Sequence, residues 1–158
     1  MWKLSCEFKQ RLEEMRIRFS WTQEQVDHLV QCMAFETGGT FSPTIKNMAG
    51  SGATGLIQFM PATAKGLGTT TEALTKMTAV EQLAYVERYF IPYHKRTKTL
   101  SDMYMAILMP KYIGYAEEAI LFNDPSKAYT QNRGLDLNRD GRITKAEATH
   151  RVRNFGRR

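Results

Sequence analysis

The sequence predicts a mainly α-helical protein, and three observations carry that reading. Apolar residues three and four apart recur along most of the chain, the spacing of one helix face. Several of these stretches open on Thr with Gln, Glu or Asp three residues later, the signature of a capped helix start. Pro or Gly closes most of them, and the connections between them are short.

Taken in order, Trp2, Leu4, Phe8, Leu12, Met15 and Phe19 predict an amphipathic helix within residues 1–21, packed on a core. A membrane-disturbing role for it is disfavoured by Glu7, Glu13 and Glu14, which dilute its positive face. Thr22 and Gln25 form a capping box ahead of Val26, Leu29, Val30 and Met33, and Gly38-Gly39 ends this second helix. Glu36 therefore falls at or just past its C-terminus. Residues 40–59, rich in Gly, Ser, Thr and Asn, predict irregular loops or a small ribbon lining a cleft. Pro61 opens a short helix that Gly66 and Gly68 close. Thr69 with Glu72 and Thr78 with Glu81 mark two further starts, the second leading into Leu83, Val86, Tyr89 and Phe90 before Pro92. Thr99 with Asp102 opens a helix whose apolar residues 103–109 suit a central buried position, ended by Pro110. Residues 111–124 predict a connecting helix and turn, and 126–133 and 145–153 two short helices around a polar loop. The expected organisation is a main domain over 1–124 and an appendage over 125–158.

A chain of 158 residues supports one domain with a real core and is too short for two substantial ones. Lys+Arg of 22 against Asp+Glu of 16 gives a net charge of +6 and a pI near 9.4, which favours a polyanionic partner: nucleic acid, an anionic membrane surface or a cell wall. Met1-Trp2-Lys3-Leu4-Ser5-Cys6 carries no apolar stretch followed by a small-residue cleavage site, so no secretory signal is expected. Cys6 and Cys32 are expected as two reduced, partly buried thiols, since two cysteines make no disulfide framework.

Glu36 has two reasons for a raised pKa. Met33, Ala34 and Phe35 precede it, so desolvation favours its neutral form, and the negative end of a helix dipole disfavours a carboxylate. Phe35-Glu36-Thr37-Gly38-Gly39 is followed by Gly52-Ala53-Thr54-Gly55-Leu56-Ile57-Gln58-Phe59-Met60-Pro61-Ala62-Thr63-Ala64. In order and spacing these motifs resemble the soluble lytic transglycosylase and goose-type lysozyme superfamily, its phage endolysin branch in particular, over residues 31 to about 114. In that family the acid is followed by Ser or Thr, a Gly-Leu-Met-Gln loop contacts the N-acetyl sugar, and Pro-x-Thr-Ala opens the next helix. Ile57 replaces Met here, and the family's later Ala-Tyr-Asn motif is met only by Tyr104, with no Asn after it.

The resemblance implies a lysozyme-like helical fold and a peptidoglycan glycosidase. It would cut the β-1,4 bond between N-acetylmuramic acid and N-acetylglucosamine, with Glu36 as general acid and base. Thr37, Gly55, Ile57, Gln58 and Tyr104 become the expected substrate side. Gly55 would let backbone approach the sugar, and Gln58 would offer a donor and an acceptor, its other reading being a loop-bracing amide. Tyr104 would orient the acid, its other reading being a core aromatic. One Glu suffices for a lytic transglycosylase, which leaves a 1,6-anhydro end; a bound water would make the enzyme a lysozyme. Asp102, Glu72 and Glu81 are the available second carboxylates, and each is explained better as a helix cap. An endolysin would pass from the host cytoplasm through a holin-type pore to the periplasm and wall, acting as a monomer on glycan strands in an anionic envelope. A virion tail enzyme is the close variant.

Residues 136–147 read Asp-Leu-Asn-Arg-Asp-Gly-Arg-Ile-Thr-Lys-Ala-Glu. A calcium loop of the EF-hand type needs oxygen ligands at positions 1, 3, 5, 7, 9 and 12, with Gly at 6 for the turn. Asp136, Asn138, Asp140, the carbonyl of Arg142, Thr144 and Glu147 fill them, Gly141 supplies the turn, and Ile143 is the apolar anchor. One structural Ca2+ is expected, in a solitary EF-hand docked on the main domain.

Other chemistries are poorly supported. His28, His94 and His150 lack metal-ligand spacing, and Cys32 has no evident His partner. The competing class is a calcium-dependent glycan-binding or adaptor module without catalysis. The basic tail from Arg151 to Arg158 motivates a nucleic-acid binder, but no aromatic and basic platform accompanies it, and a solvated tail is the simpler reading.

Overall fold

The computed structural model describes residues 2–47 and 49–157. Met1 and the last arginine of the basic tail, Arg158, lie outside the described residues, as does Met48 in the loop region. The protein is mainly helical, 52% helix, with one two-stranded sheet.

Helix α1 spans Cys6–Phe19 and is capped by Ser5, whose hydroxyl accepts the Phe8 N–H. The expected helix over 1–21 is thus shortened: Trp2 and Leu4 precede the cap. Ser5 stops propagation because its side chain satisfies a helix-end donor from an extended backbone. Phe8, Leu12 and Met15 form the buried stripe, as their spacing requires. Arg11 and Arg18 both donate to Glu87 on the next long helix but one, at 2.9 and 2.7 Å, which holds the Glu87 carboxyl below its usual range.

Helix α2 spans Gln23–Glu36 with the capping box of Thr22 and Gln25 formed in both directions. Helix α3 is Pro61–Gly66, with Pro in its first turn. Helix α4 is Thr71–Leu74, and its cap is Thr70, one residue beyond the expected Thr69. Either threonine can serve chemically, and the one whose oxygen reaches the Ala73 N–H wins. Helix α5 spans Ala79–Phe90 from a second complete capping box, and α6 spans Leu100–Leu108 from the Thr99 cap. Between α2 and α3 the chain forms irregular loops held by isolated bridges from Lys46 to Thr54 and from Thr54 to Phe59, the first of the two expected forms rather than a regular ribbon.

Residues 111–124 depart from expectation. A single 3-10 turn at Pro110–Tyr112 is followed by strand β1, Ile120–Asn123, rather than a connecting helix. Strand β1 pairs antiparallel with β2, Arg142–Thr144, so tertiary pairing overrides local preference. Helix α7, Lys127–Gln131, and a 3-10 turn at Arg133–Leu135 precede the polar loop, and α8, Lys145–Asn154, follows it from the Thr144 and Glu147 capping box.

Helix α6 is the centre of the molecule. It packs on both α2 and α8, which also meet each other, while α1 packs on α5. Leu29, Cys32 and Met33 of α2, Leu83, Val86 and Phe90 of α5, and Met103, Met105 and Ala106 of α6 are wholly removed from solvent. Both cysteines are free. Neither is partly buried as expected: Cys32 is fully buried in α2, and Cys6, in the first turn of α1, is exposed. No helix among the described residues is long and apolar enough to cross a membrane.

The C-terminal unit is tied to the rest by buried polar groups. Lys145, 1% exposed, donates to Asp102 Oδ1 at 2.6 Å and to the carbonyls of Tyr112 and Tyr115. Gln31 on α2 donates to the carbonyls of Val152 and Phe155 and accepts the Trp2 indole N–H at 3.1 Å. The Trp2 ring stacks on Phe155, so both ends of the described chain close over α2.

Candidate acid site and acidic loop

Glu36 is the last residue of α2, where the helix C-terminus presents unpaired carbonyls. It keeps part of its surface open, while dense packing around its carboxyl pushes its pKa up to about 8. Desolvation by burial is the cause, and among the described residues no cation or hydrogen bond compensates the ionised form. Two neighbours feel its charge. The Tyr104 hydroxyl is held above its ordinary range by burial and then by Glu36, and the Cys32 thiol likewise. Tyr104 is buried and packs edge-on to Phe35, 5.8 Å between centroids. No hydrogen bond from Tyr104 to Glu36 forms among the described residues, so the tyrosine packs beside the acid without gripping it.

The remaining expected substrate residues are largely engaged by protein. Thr37 is fully buried; its hydroxyl donates to the Met33 carbonyl at 2.8 Å and accepts the Phe41 N–H at 2.9 Å. That pair fixes the turn that follows the acid. Ile57 is buried in the core cluster. Gly55 is also buried, at φ +84, and the group it admits is not solvent but the side chain of Gln82: a Cβ at 55 would collide with the Gln82 amide. Gln58 braces the loop, its Nε2 donating to the carbonyls of Ile45 and Gly55, both at 3.2 Å. Its Oε1 has no hydrogen-bond partner among the described residues and stays available. Two grooves of about 520 and about 720 Å³ open along the Asp27 and Gln31 edge of α2 beside Trp2, and neither is lined by Glu36.

Asp102 is not a free second carboxylate. Its Oδ1 accepts the Gly114 N–H and pairs with Lys145. Glu81 reaches back to the Thr78 N–H as a helix cap, and Glu72 stands exposed in the first turn of α4.

In the polar loop, ligand atoms of Asp136, Asp140 and Glu147 lie within 4.8 Å of one another. Asp136 Oδ2 accepts the Tyr129 hydroxyl at 2.6 Å and the Gly141 N–H at 3.0 Å, which lowers the Asp136 pKa and raises that of Tyr129 to about 12. Asp136 Oδ1 is buried and has no hydrogen-bond partner among the described residues. Such an orphan costs free energy unless something fills it. Gly141 at φ +81 makes the turn that folds these oxygens inward. Asn138 and Asp140 accept N–H groups of the loop itself, and Glu147 accepts those of Leu137 and Thr144. Ile143 is fully buried and pairs with Phe122 across the strands. The oxygen set and the orphan fit a hard divalent cation.

Two residues that position these sites escaped the sequence reading. Gln82 and Lys145 each lie on an apolar helix face, with Val86 and Phe90 and with Ala148 and Val152 respectively. A polar residue in register with a buried stripe was the available signal. Comparison with protein-family models, with curated proteins and with solved structures finds no match to this chain.

Proposed function

We propose that this chain is a peptidoglycan glycosidase with Glu36 as general acid and base, acting on the bond between N-acetylmuramic acid and N-acetylglucosamine. The observation that carries the reading is the place of Glu36 at the end of α2 beside buried Cys32, Met33 and Tyr104, where desolvation raises its carboxyl to about 8. A carboxylic acid that stays protonated at neutral pH can deliver a proton to a leaving glycosidic oxygen. After bond cleavage the same group, now ionised, would accept a proton from the muramyl C6 hydroxyl or from water. The sequence motifs around Glu36 and Gln58, and the free Oε1 of Gln58, agree with an N-acetyl sugar as ligand. On this reading the helical body is a lysozyme-like domain, and the basic charge of +6 suits an acidic envelope. A phage origin, with release through a holin-type pore, belongs to the same proposal.

The test is mass spectrometry of fragments released from purified peptidoglycan by wild type and by Glu36→Gln. Products ending in 1,6-anhydromuramic acid and absent from the variant identify a lytic transglycosylase; reducing muramic ends identify a lysozyme. A wild type that binds glycan and releases nothing would replace the enzyme with a glycan-binding adaptor.

The loop over residues 136–147 is proposed as an EF-hand holding one Ca2+ through Asp136, Asn138, Asp140, the Arg142 carbonyl, Thr144 and Glu147. The orphaned Asp136 Oδ1 supports it. The ion would supply charge neutralisation for three converging carboxylates and act on stability rather than on the bond being cut. Calcium at a hundredfold excess over Kd is expected to stabilise the fold by about 2.7 kcal/mol, raising Tm by roughly 5–10 °C. Glu147→Ala should abolish the shift. Differential scanning calorimetry with calcium and with chelator decides it, and an unmoved wild-type Tm would remove the calcium assignment.

A further inference from the structure

Gln82 is fully buried on α5, and its amide spends every donor it has. Nε2 donates to the carbonyl of Pro43 at 3.0 Å and to that of Leu74 at 3.1 Å, while Oε1 accepts the Leu56 N–H at 2.7 Å. One side chain thus joins three separate segments: the stretch after the acid, the turn at residues 55–58, and the end of α4.

The geometry reaches Gln58 by short steps. Gly55 exists in this form because Gln82 lies against it, leaving no space for a side chain. The Gly55 N–H donates to Ile45 O at 2.8 Å, and Gln58 Nε2 donates to both Ile45 O and Gly55 O. Gln58 itself is held at φ 57, an uncommon conformation for a residue with a side chain. A turn in that conformation persists only when its surroundings determine it. Among the described residues, Leu56 N–H to Gln82 Oε1 is the one side-chain hydrogen bond from the turn to a long helix.

We propose that Gln82 is the positioning residue for glycan recognition, a buried amide that sets the register of the 55–58 turn and so aims Gln58 Oε1 at the acetamido N–H of the substrate. This rests on the glycosidase reading. Gln82 does not touch the sugar; it acts through Leu56, Gly55 and Gln58. Misaiming Gln58 removes an interaction made equally in the ground and transition states, so the loss falls on KM rather than on kcat.

Two variants test it. Gln82→Met keeps the volume and removes all three hydrogen bonds. Gln82→Glu keeps an acceptor and, while neutral, one donor; once ionised it turns acceptors toward the carbonyls of Pro43 and Leu74. With soluble uncrosslinked glycan strands as probe, KM is expected to rise at least tenfold in Gln82→Met, with kcat within about threefold. In Gln82→Glu the KM should match wild type at low pH and climb as the new carboxyl ionises, a pH dependence that a simple loss of packing would not create. Hydrogen exchange at the Leu56 amide should accelerate in step. If Gln82→Met fails to fold, Gln82→Glu below its titration supplies the folded reference. An active wild type whose KM and Leu56 exchange do not move in folded variants would overturn the Gln82 assignment alone. A wild type inert toward the strands would overturn the glycosidase reading, and the glycan role of Gln82 with it.

Discussion

Replacing Glu36 with Gln is expected to cut peptidoglycan cleavage by about 10²–10⁴-fold, the range that a positioned general acid contributes, and to make the protein more stable at alkaline pH. The second half separates this carboxyl from an ordinary surface acid. Its folded pKa of about 8 lies above the ordinary 4.5 of a free glutamate, so the folded state holds the proton more tightly than the unfolded chain. Stability therefore falls as pH rises from about 4.5 to about 8, and is flat beyond both limits. Gln carries no charge and removes that slope. Above pH 8 the variant should exceed the wild type by on the order of 4 kcal/mol, read from urea midpoints across a pH series. Activity of the wild type should fall as the pH passes about 8, where the proton to be donated is lost. Parallel stability curves for wild type and variant would show that the carboxyl is solvated and unfit for this role.

The other large effect is expected at Lys145. Lys145→Met leaves Asp102 without its counter-charge and frees the carbonyls of Tyr112 and Tyr115. Losing one member of a buried ion pair typically costs 3–5 kcal/mol, and the partial exposure of Asp102, 18%, puts the expected loss at about 3 kcal/mol. Adding Asp102→Asn to Lys145→Met should recover part of it, because the stranded carboxylate is then gone. Chemical denaturation of the single and double variants measures both. Equal stability of wild type and Lys145→Met would mean that the contact does not hold the C-terminal unit to α6.

The helices were legible because their signals are local. Thr22, Thr78 and Thr99 cap helices at the positions that their hydroxyls and the following residues define, and the stripes of α2 and α5 are buried as their spacing demands. Strand β1 was not legible, since Ile120–Asn123 is extended only by pairing with residues about twenty positions later. At the acid, the sequence located Glu36 at a helix end among apolar neighbours, which is where it lies. It could not reveal that Gly55 accommodates a glutamine amide, because a glycine demands closeness without naming the group that comes close. Spacing alone puts Trp2 on a helix stripe; its partners are Gln31, 29 positions along, and Phe155, near the other end of the chain.

That closure of Trp2 on Phe155 gives the protein two optical reporters of different things. The chain has two tryptophans. Trp21 is buried in the helical body, its indole N–H bound to the His94 carbonyl and its ring against Phe19 and Phe90. Trp2 instead lies on the C-terminal segment and reads whether residues more than a hundred positions apart have met. Bringing residues of such long sequence separation together costs the closure entropy of the intervening chain. Selective replacement of one tryptophan by Phe would leave a fluorophore that follows either the folding of the body or the sealing of its ends.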